Sequence, residues 1–161
     1  MSTFFYLPVE ALVSIPKFRK LNKLVYKGSV PRNEEDILSL KKLGVKTVIN
    51  LRWGNIQKNR NEKKWCEKSG IKYIHVPMLP GKIPSKKDIN KILAILGNIN
   101  NGPIYIHCKQ GVDRTGLVTA IYRVRHDKWP FNLAHDEMMR DGFHNFPLFY
   151  WVRRLKEYSQ I

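Results

Sequence analysis

The chain has 161 residues, 43% of them hydrophobic and 26% charged, and its 29 Lys and Arg against 13 Asp and Glu give a formal net charge of +16. That length suits one domain over 1–161, with 1–17 expected as a loosely attached N-terminal segment, and the apolar fraction is too high for intrinsic disorder. No apolar run approaches the roughly 20 residues that cross a bilayer, and the two cysteines, Cys66 and Cys108, build neither a disulfide framework nor a zinc site. A reducing, cytoplasmic compartment is expected. The start of the chain, with Pro8 and Glu10 and no basic opening, is a poor secretory signal. Secretion as an effector stays open. The charge excess speaks of partners: nucleic acid, anionic lipid or a multiply phosphorylated small molecule.

In chain order, residues 11–33 hold six basic residues (Lys17, Arg19, Lys20, Lys23, Lys27, Arg32) and no acid, and Val25-Tyr26-Lys27-Gly28 reads as a short strand. Asn33 can cap a helix whose first turn, Glu34-Glu35-Asp36, suits the positive end of the dipole, and Gly44 ends it. Val45–Leu51 is a buried strand by its β-branched content. Asn59 to Ser69 reads as a polar helix and Ile71–Val76 as the next strand. Ser85 and Asp88 form a capping box, after which Ile89, Ile92, Leu93, Leu96 and Ile99 fall on one helical face. Pro103–His107 is a further strand, followed by a glycine-containing loop and the apolar run Leu117–Tyr122. Helices are expected around Leu133–Arg140 and Leu148–Tyr158, with Pro130 near the N1 position of the first. Alternating strands and helices predict an α/β fold with a central, mostly parallel sheet of about 4–5 strands and helices on both faces. Ligands then bind at the loops beyond the carboxyl ends of the strands.

The loop after the last strand, His107-Cys108-Lys109-Gln110-Gly111-Val112-Asp113-Arg114-Thr115-Gly116, has the form H-C-x5-R-T. A strand end places the Cys108 sulfur under successive backbone N–H groups, and the helix opening near Arg114 adds its N-terminus; together they cradle a phosphate dianion. The same positive field favours a thiolate nucleophile. Arg114 returns over the cradle to hold two phosphoryl oxygens. Gly111 permits close approach of the backbone, and Lys109, Gln110 and Val112 complete the lining. Thr115 can donate its hydroxyl to the sulfur and improve the thiolate as a leaving group. The competing reading is a buried structural cysteine with an accidental arginine.

This segment resembles the signature loop of cysteine-dependent protein tyrosine phosphatases of the small, bacterial dual-specificity type. Phe18–Leu21 with Leu24–Pro31 is similar to the F-R-x-V … L-Y-R-S-x-x-P opening of that group, and Leu43–Arg52 to its L-G-I-K-T-V-I-N-L-R strand. Glu137-Met138-Met139 with Gly142-Phe143-His144 resembles its C-terminal helix and exit. The resemblance covers roughly 18–158 and implies a metal-independent phosphatase with no cofactor.

The general acid departs from the pattern. Pro77–Pro84, where many relatives of that group carry an aspartate on a mobile loop, has no carboxylate, and Asp88 is explained by its capping box. Asp113 is the better candidate, as in the C-x-x-G-x-D-R-T loops of myotubularin-type lipid phosphatases; alternatively it orients Arg114 or a neighbouring base through an ion pair. Arg52 either faces the same pocket or is a solvated strand end. His107 is expected to tune the loop by hydrogen bonding, and Cys66 to be a packed bystander. His75, His126, His135 and His144 lack metal-ligand spacing. The aromatics Phe143, Phe146, Phe149, Tyr150 and Trp151 are expected in the core, with a lipid-facing patch as the alternative.

The expected activity is hydrolysis of a phosphomonoester through a phosphocysteine, on phosphotyrosine or phosphoprotein, or on a phosphoinositide or inositol phosphate. An RNA 5′-phosphatase and a pseudophosphatase that only binds phosphorylated partners are the alternatives. Expected partners are the phosphorylated substrate and peripheral contact with an anionic membrane; nucleic acid is not expected, since no RNA-binding motif is present, and the chain should be a monomer.

Overall fold

A computed structural model describes residues 9–160, with side chains described for 11–145 and 150–160. Five strands form one sheet: β1 (Arg19–Lys20), β2 (Val25–Gly28), β3 (Thr47–Arg52), β4 (Lys72–Met78) and β5 (Ile104–His107). Their order is β1-β2-β5-β3-β4; β1 runs antiparallel to β2 and every other pairing is parallel. Six helices accompany them: α1 (Glu34–Lys42), α2 (Ile56–Lys68), α3 (Lys86–Leu96), α4 (Asp113–Arg125), α5 (Phe131–Arg140) and α6 (Asn145–Ser159). The expected α/β architecture is therefore the observed one.

The caps behave as their chemistry requires. Asn33 accepts from the Asp36 N–H, Ser85 accepts from the Asp88 N–H, and Gly44 turns the chain out of α1 at φ +85°. Most element ends lie a few residues from expectation, β4 for example running Lys72–Met78 and α6 Asn145–Ser159, and three differences have a local cause. Helix α2 opens at Ile56 rather than Asn59, because Asn55 already stands in left-handed geometry at the N-cap and Asn59 turns inward. Ile99 does not extend α3: the helix ends at Leu96, and Ile99 sits 70% exposed in a 3-10 turn, Ile99–Asn101. Pro130 occupies the N-cap of α5 rather than N1.

Strand alternation sends successive side chains to opposite faces and divides the core. Val25, Ile49, Leu51, Ile104 and Ile106 face a cluster closed by Ile89, Ile92 and Leu96 of α3, Leu117 and Ile121 of α4, Met138 of α5 and Trp151 and Leu155 of α6. Tyr26, Val48 and Tyr105 face the other side, against Ile37 and Leu40 of α1 and Cys66 of α2. Each fully buried aliphatic side chain here contributes about 1.5–3 kcal/mol. Phe143 and Trp151 join the first cluster as expected, Tyr150 packs partly buried against it, and Phe146 and Phe149 lie outside the described side chains.

Candidate active site

The parallel strands end together, so the segments after β2, β3, β4 and β5 meet at one end of the sheet, where ligands of such folds bind. Cys108 follows β5 directly and is 2% exposed. The loop from Lys109 to Val112 crosses the end of β2: the Val30 N–H donates to Lys109 O at 3.3 Å and Ser29 Oγ donates to Gln110 O at 2.9 Å. Gly111 is held at φ +71°, and a Cβ there would stand 2.2 Å from the Gly28 carbonyl oxygen. Only glycine lets the loop lie this close to β2. Val112 is buried at the N-cap of α4, so the helix begins within the loop and turns its free N–H groups toward the cysteine's end of the sheet.

Arg114 reaches across to Met78 at the end of β4, donating from Nη1 to its carbonyl at 3.3 Å. Thr115 is wholly buried and its Oγ1 has no hydrogen-bond partner among the described residues, so the bond to the sulfur expected from sequence is not made in this conformation. Asp113 does not pair with Arg114. Its Oδ1 accepts from the His144 backbone N–H at 2.8 Å, and its Oδ2 lies 3.0 Å from His144 Nδ1, tying the start of α4 to the start of α6.

His107 occupies the centre of a network that the strand-by-strand reading did not reveal. Alternation turns Asn50, Arg52 and His107 toward α2, which supplies the fully buried Glu62. His107 Nε2 lies 2.6 Å from Glu62 Oε1, while its Nδ1 lies 3.0 Å from the Cys108 carbonyl oxygen. Arg52 Nη2 donates to Glu62 Oε2 at 2.7 Å, and Asn50 Nδ2 reaches the same oxygen at 3.3 Å and Tyr73 Oη at 2.8 Å. Arg52 is thus a buried, anchored residue and not a solvated strand end; its Nε has no partner among the described residues. The sequence carried one signal for this: Asn59, Glu62 and Cys66 repeat at helical spacing along an otherwise polar helix, and all three are buried. Burial and the neighbouring Glu62 push the Cys66 thiol up to about 12. Cys66 is a packed residue, as expected.

Against the loop that follows Cys108, at Lys109 and Arg114, opens a cleft of about 660 Å³, lined also by Arg32, Arg52 and Lys58 with Trp53, Trp65 and Pro80, and by no carboxylate. Such a cleft concentrates field lines and draws anions. The thiol that opens this loop, the backbone N–H groups of the helix start within it and the Arg114 guanidinium in the cleft wall form a set able to hold a phosphoryl group for attack. Among the described residues no group of three or more His, Cys, Asp or Glu is placed to hold a metal ion.

Comparison with known proteins agrees with this geometry. The chain is 25% identical over 124 residues to the dual specificity protein phosphatase TpbA of Pseudomonas aeruginosa, covering 77% of this chain and 54% of the relative. It is 29% identical over 149 residues to the inositol diphosphatase SIW14 of Saccharomyces cerevisiae, covering 89% of this chain and 51% of the relative. The chain therefore spans about half the length of these curated relatives. The solved core catalytic domain of SIW14 superposes with a TM-score of 0.68 at 28% identity, covering 81% of this chain and 79% of that one. Crystalline TpbA gives 0.70 at 23% identity, covering 90% and 84%, which attests the fold. Residues 14–146 match the family described as DSP-PTPase phosphatase fused to NAD+ kinase, and the chain belongs to that family.

Proposed function

We propose that this chain is a phosphomonoesterase that works through a phosphocysteine and needs no metal. The supporting observation is the cleft against the Cys108–Arg114 loop, with five cations and no carboxylate among its lining residues. The Cys108 sulfur attacks phosphorus while the loop N–H groups and Arg114 hold the phosphoryl oxygens. As the ester bond breaks, Asp113 gives its proton to the leaving oxygen. Water then attacks the phosphocysteine, Asp113 takes a proton from it, and phosphate leaves as the thiolate is restored. The buried hydroxyl of Thr115, without a partner among the described residues, is the donor we assign to that leaving thiolate. Asp113 supports this role by its place beside Arg114, its partly exposed carboxylate and its anchor on His144.

The substrate class we favour carries negative charge beyond the phosphate that is cut, since one phosphomonoester needs only the loop and Arg114 while Lys58 and Lys109 remain to be matched, Arg32 and Arg52 being paired with Asp36 and Glu62. Phosphoinositides and inositol phosphates meet that condition, as does a phosphotyrosine flanked by acidic residues. The relative SIW14 is named an inositol diphosphatase, and TpbA has been crystallised with phosphotyrosine. A panel of phosphoinositides, inositol phosphates, phosphopeptides and 5′-triphosphorylated RNA decides among them. Turnover of a chromogenic aryl phosphate should disappear in Cys108→Ser; a chain that binds these ligands without turnover is a pseudophosphatase. Asp113→Asn should lose far more kcat on an alkyl phosphate than on an aryl phosphate, whose leaving group needs less protonation. Equal losses on both would remove Asp113 from the acid role.

A further inference from the structure

The segments at the catalytic end of the sheet share a composition. Residues 29–33 after β2, 53–61 after β3, 79–85 after β4 and 109–112 after β5 contain no carboxylate. Arg32, Lys58, Arg60, Lys82 and Lys109 stand exposed on them. Between these cations stand Trp53, 57% exposed, and Ile56, 69% exposed, with Leu79 and Ile83 at 37% each. Four of the eight large hydrophobic side chains exposed among the described residues therefore lie on the two segments after β3 and β4, and Trp53 itself lines the cleft.

We propose that this rim docks on an anionic bilayer surface, placing the cleft over phosphorylated lipid headgroups; the substrate half of that statement rests on the function proposed above. A soluble polyanion would need the cations but gains nothing from Trp53, Ile56, Leu79 and Ile83 held in water. An anionic interface matches both sets. Apolar side chains with an indole enter the headgroup boundary, and lysine and arginine stems reach the phosphates around them. The cations are also spread over segments after four strands and the apolar side chains over two of these, an extent that suits a broad surface better than a single peptide. Among the described residues no helix is long and apolar enough to cross a membrane, so the contact is peripheral.

The test is sedimentation of the whole chain with phosphatidylcholine vesicles, with and without about one-fifth phosphatidylserine. The chain should pellet with the anionic vesicles and stay in solution with the neutral ones. Trp53→Ser combined with Leu79→Ser should lower the partition coefficient about tenfold, and Lys58→Glu combined with Lys82→Glu should do at least as much. Ile99→Ser, at a side chain more exposed than Trp53 or Leu79 but before β5 at the opposite end of the sheet, should leave partitioning unchanged. No retention on anionic vesicles would overturn the proposal. So would retention indifferent to Trp53 and Leu79, which is bulk charge alone, or an equal loss in Ile99→Ser. Because sedimentation needs no turnover, the two readings fail separately. Vesicle binding without any phosphatase activity defeats the enzyme, and turnover of soluble phosphomonoesters without vesicle binding defeats the docking surface.

Discussion

Glu62 is the residue whose removal should show most clearly how the site is held. Its two carboxylate oxygens answer to His107 Nε2 at 2.6 Å and Arg52 Nη2 at 2.7 Å, and all three residues are buried. Glu62→Ala leaves the Arg52 guanidinium without its counter-charge in a place water barely reaches. Breaking such a pair from one side costs about 3–5 kcal/mol. For a domain of this size that is a fall in Tm of roughly 6–20 °C. Activity should fall as well, because His107 holds the Cys108 carbonyl and Arg52 lines the cleft. Thermal unfolding and kcat/KM on an aryl phosphate read both effects. Glu62→Leu combined with Arg52→Met should recover much of the stability, since neither charge is then left alone, while activity stays low. A Glu62→Ala protein within about 1 kcal/mol of the parent would refute the reasoning, because a pair that cheap to break is screened by water.

Two further outcomes follow from the packing. Gly111→Ala forces a Cβ into the Gly28 carbonyl and requires a left-handed alanine, so the loop must lift off β2. A displacement of about 1 Å at the nucleophile costs about 100-fold in kcat/KM; a loss under about threefold would show that the loop moves freely against that strand. For Cys66, folding raises the thiol from 9.0 to about 12, so the folded state keeps a proton that the unfolded chain loses. Stability should therefore be full below pH 9 and decline as pH rises from 9 toward 12. Denaturant titrations of the parent and Cys66→Ala across that range should diverge in slope, and parallel slopes would count against the burial argument.

Much of the fold was legible because local rules agree with it. Asn33, Gly44 and Ser85 mark helix ends through hydrogen bonds made within a few residues, and Val48 to Leu51 reads as a buried strand by its branched side chains. Strand β1 escaped notice because two residues carry no periodicity, and it exists only through pairing with β2. Ile99 was misplaced because helical spacing continues past Leu96 in the sequence while the chain leaves the helix at Gly97. Asp113 was legible as a candidate acid, but its partner His144, 31 residues away, was not.

What the sequence determined by itself was the local chemistry: a cysteine at a strand end, five residues of loop, an arginine at the opening of a helix, and an excess of positive charge. These depend on neighbours along the chain, where spacing fixes geometry. The tertiary structure decided what surrounds that loop. Strand order 2-5-3-4 brings β2 against the loop and turns His107 and Arg52 onto one face, where α2 delivers Glu62. The same ends gather cations from three strands, β2, β3 and β5, into one cleft with no carboxylate among its lining residues. The +16 charge could be counted in the sequence, but that five of the 29 basic residues share one cleft depends on the parallel strands ending together.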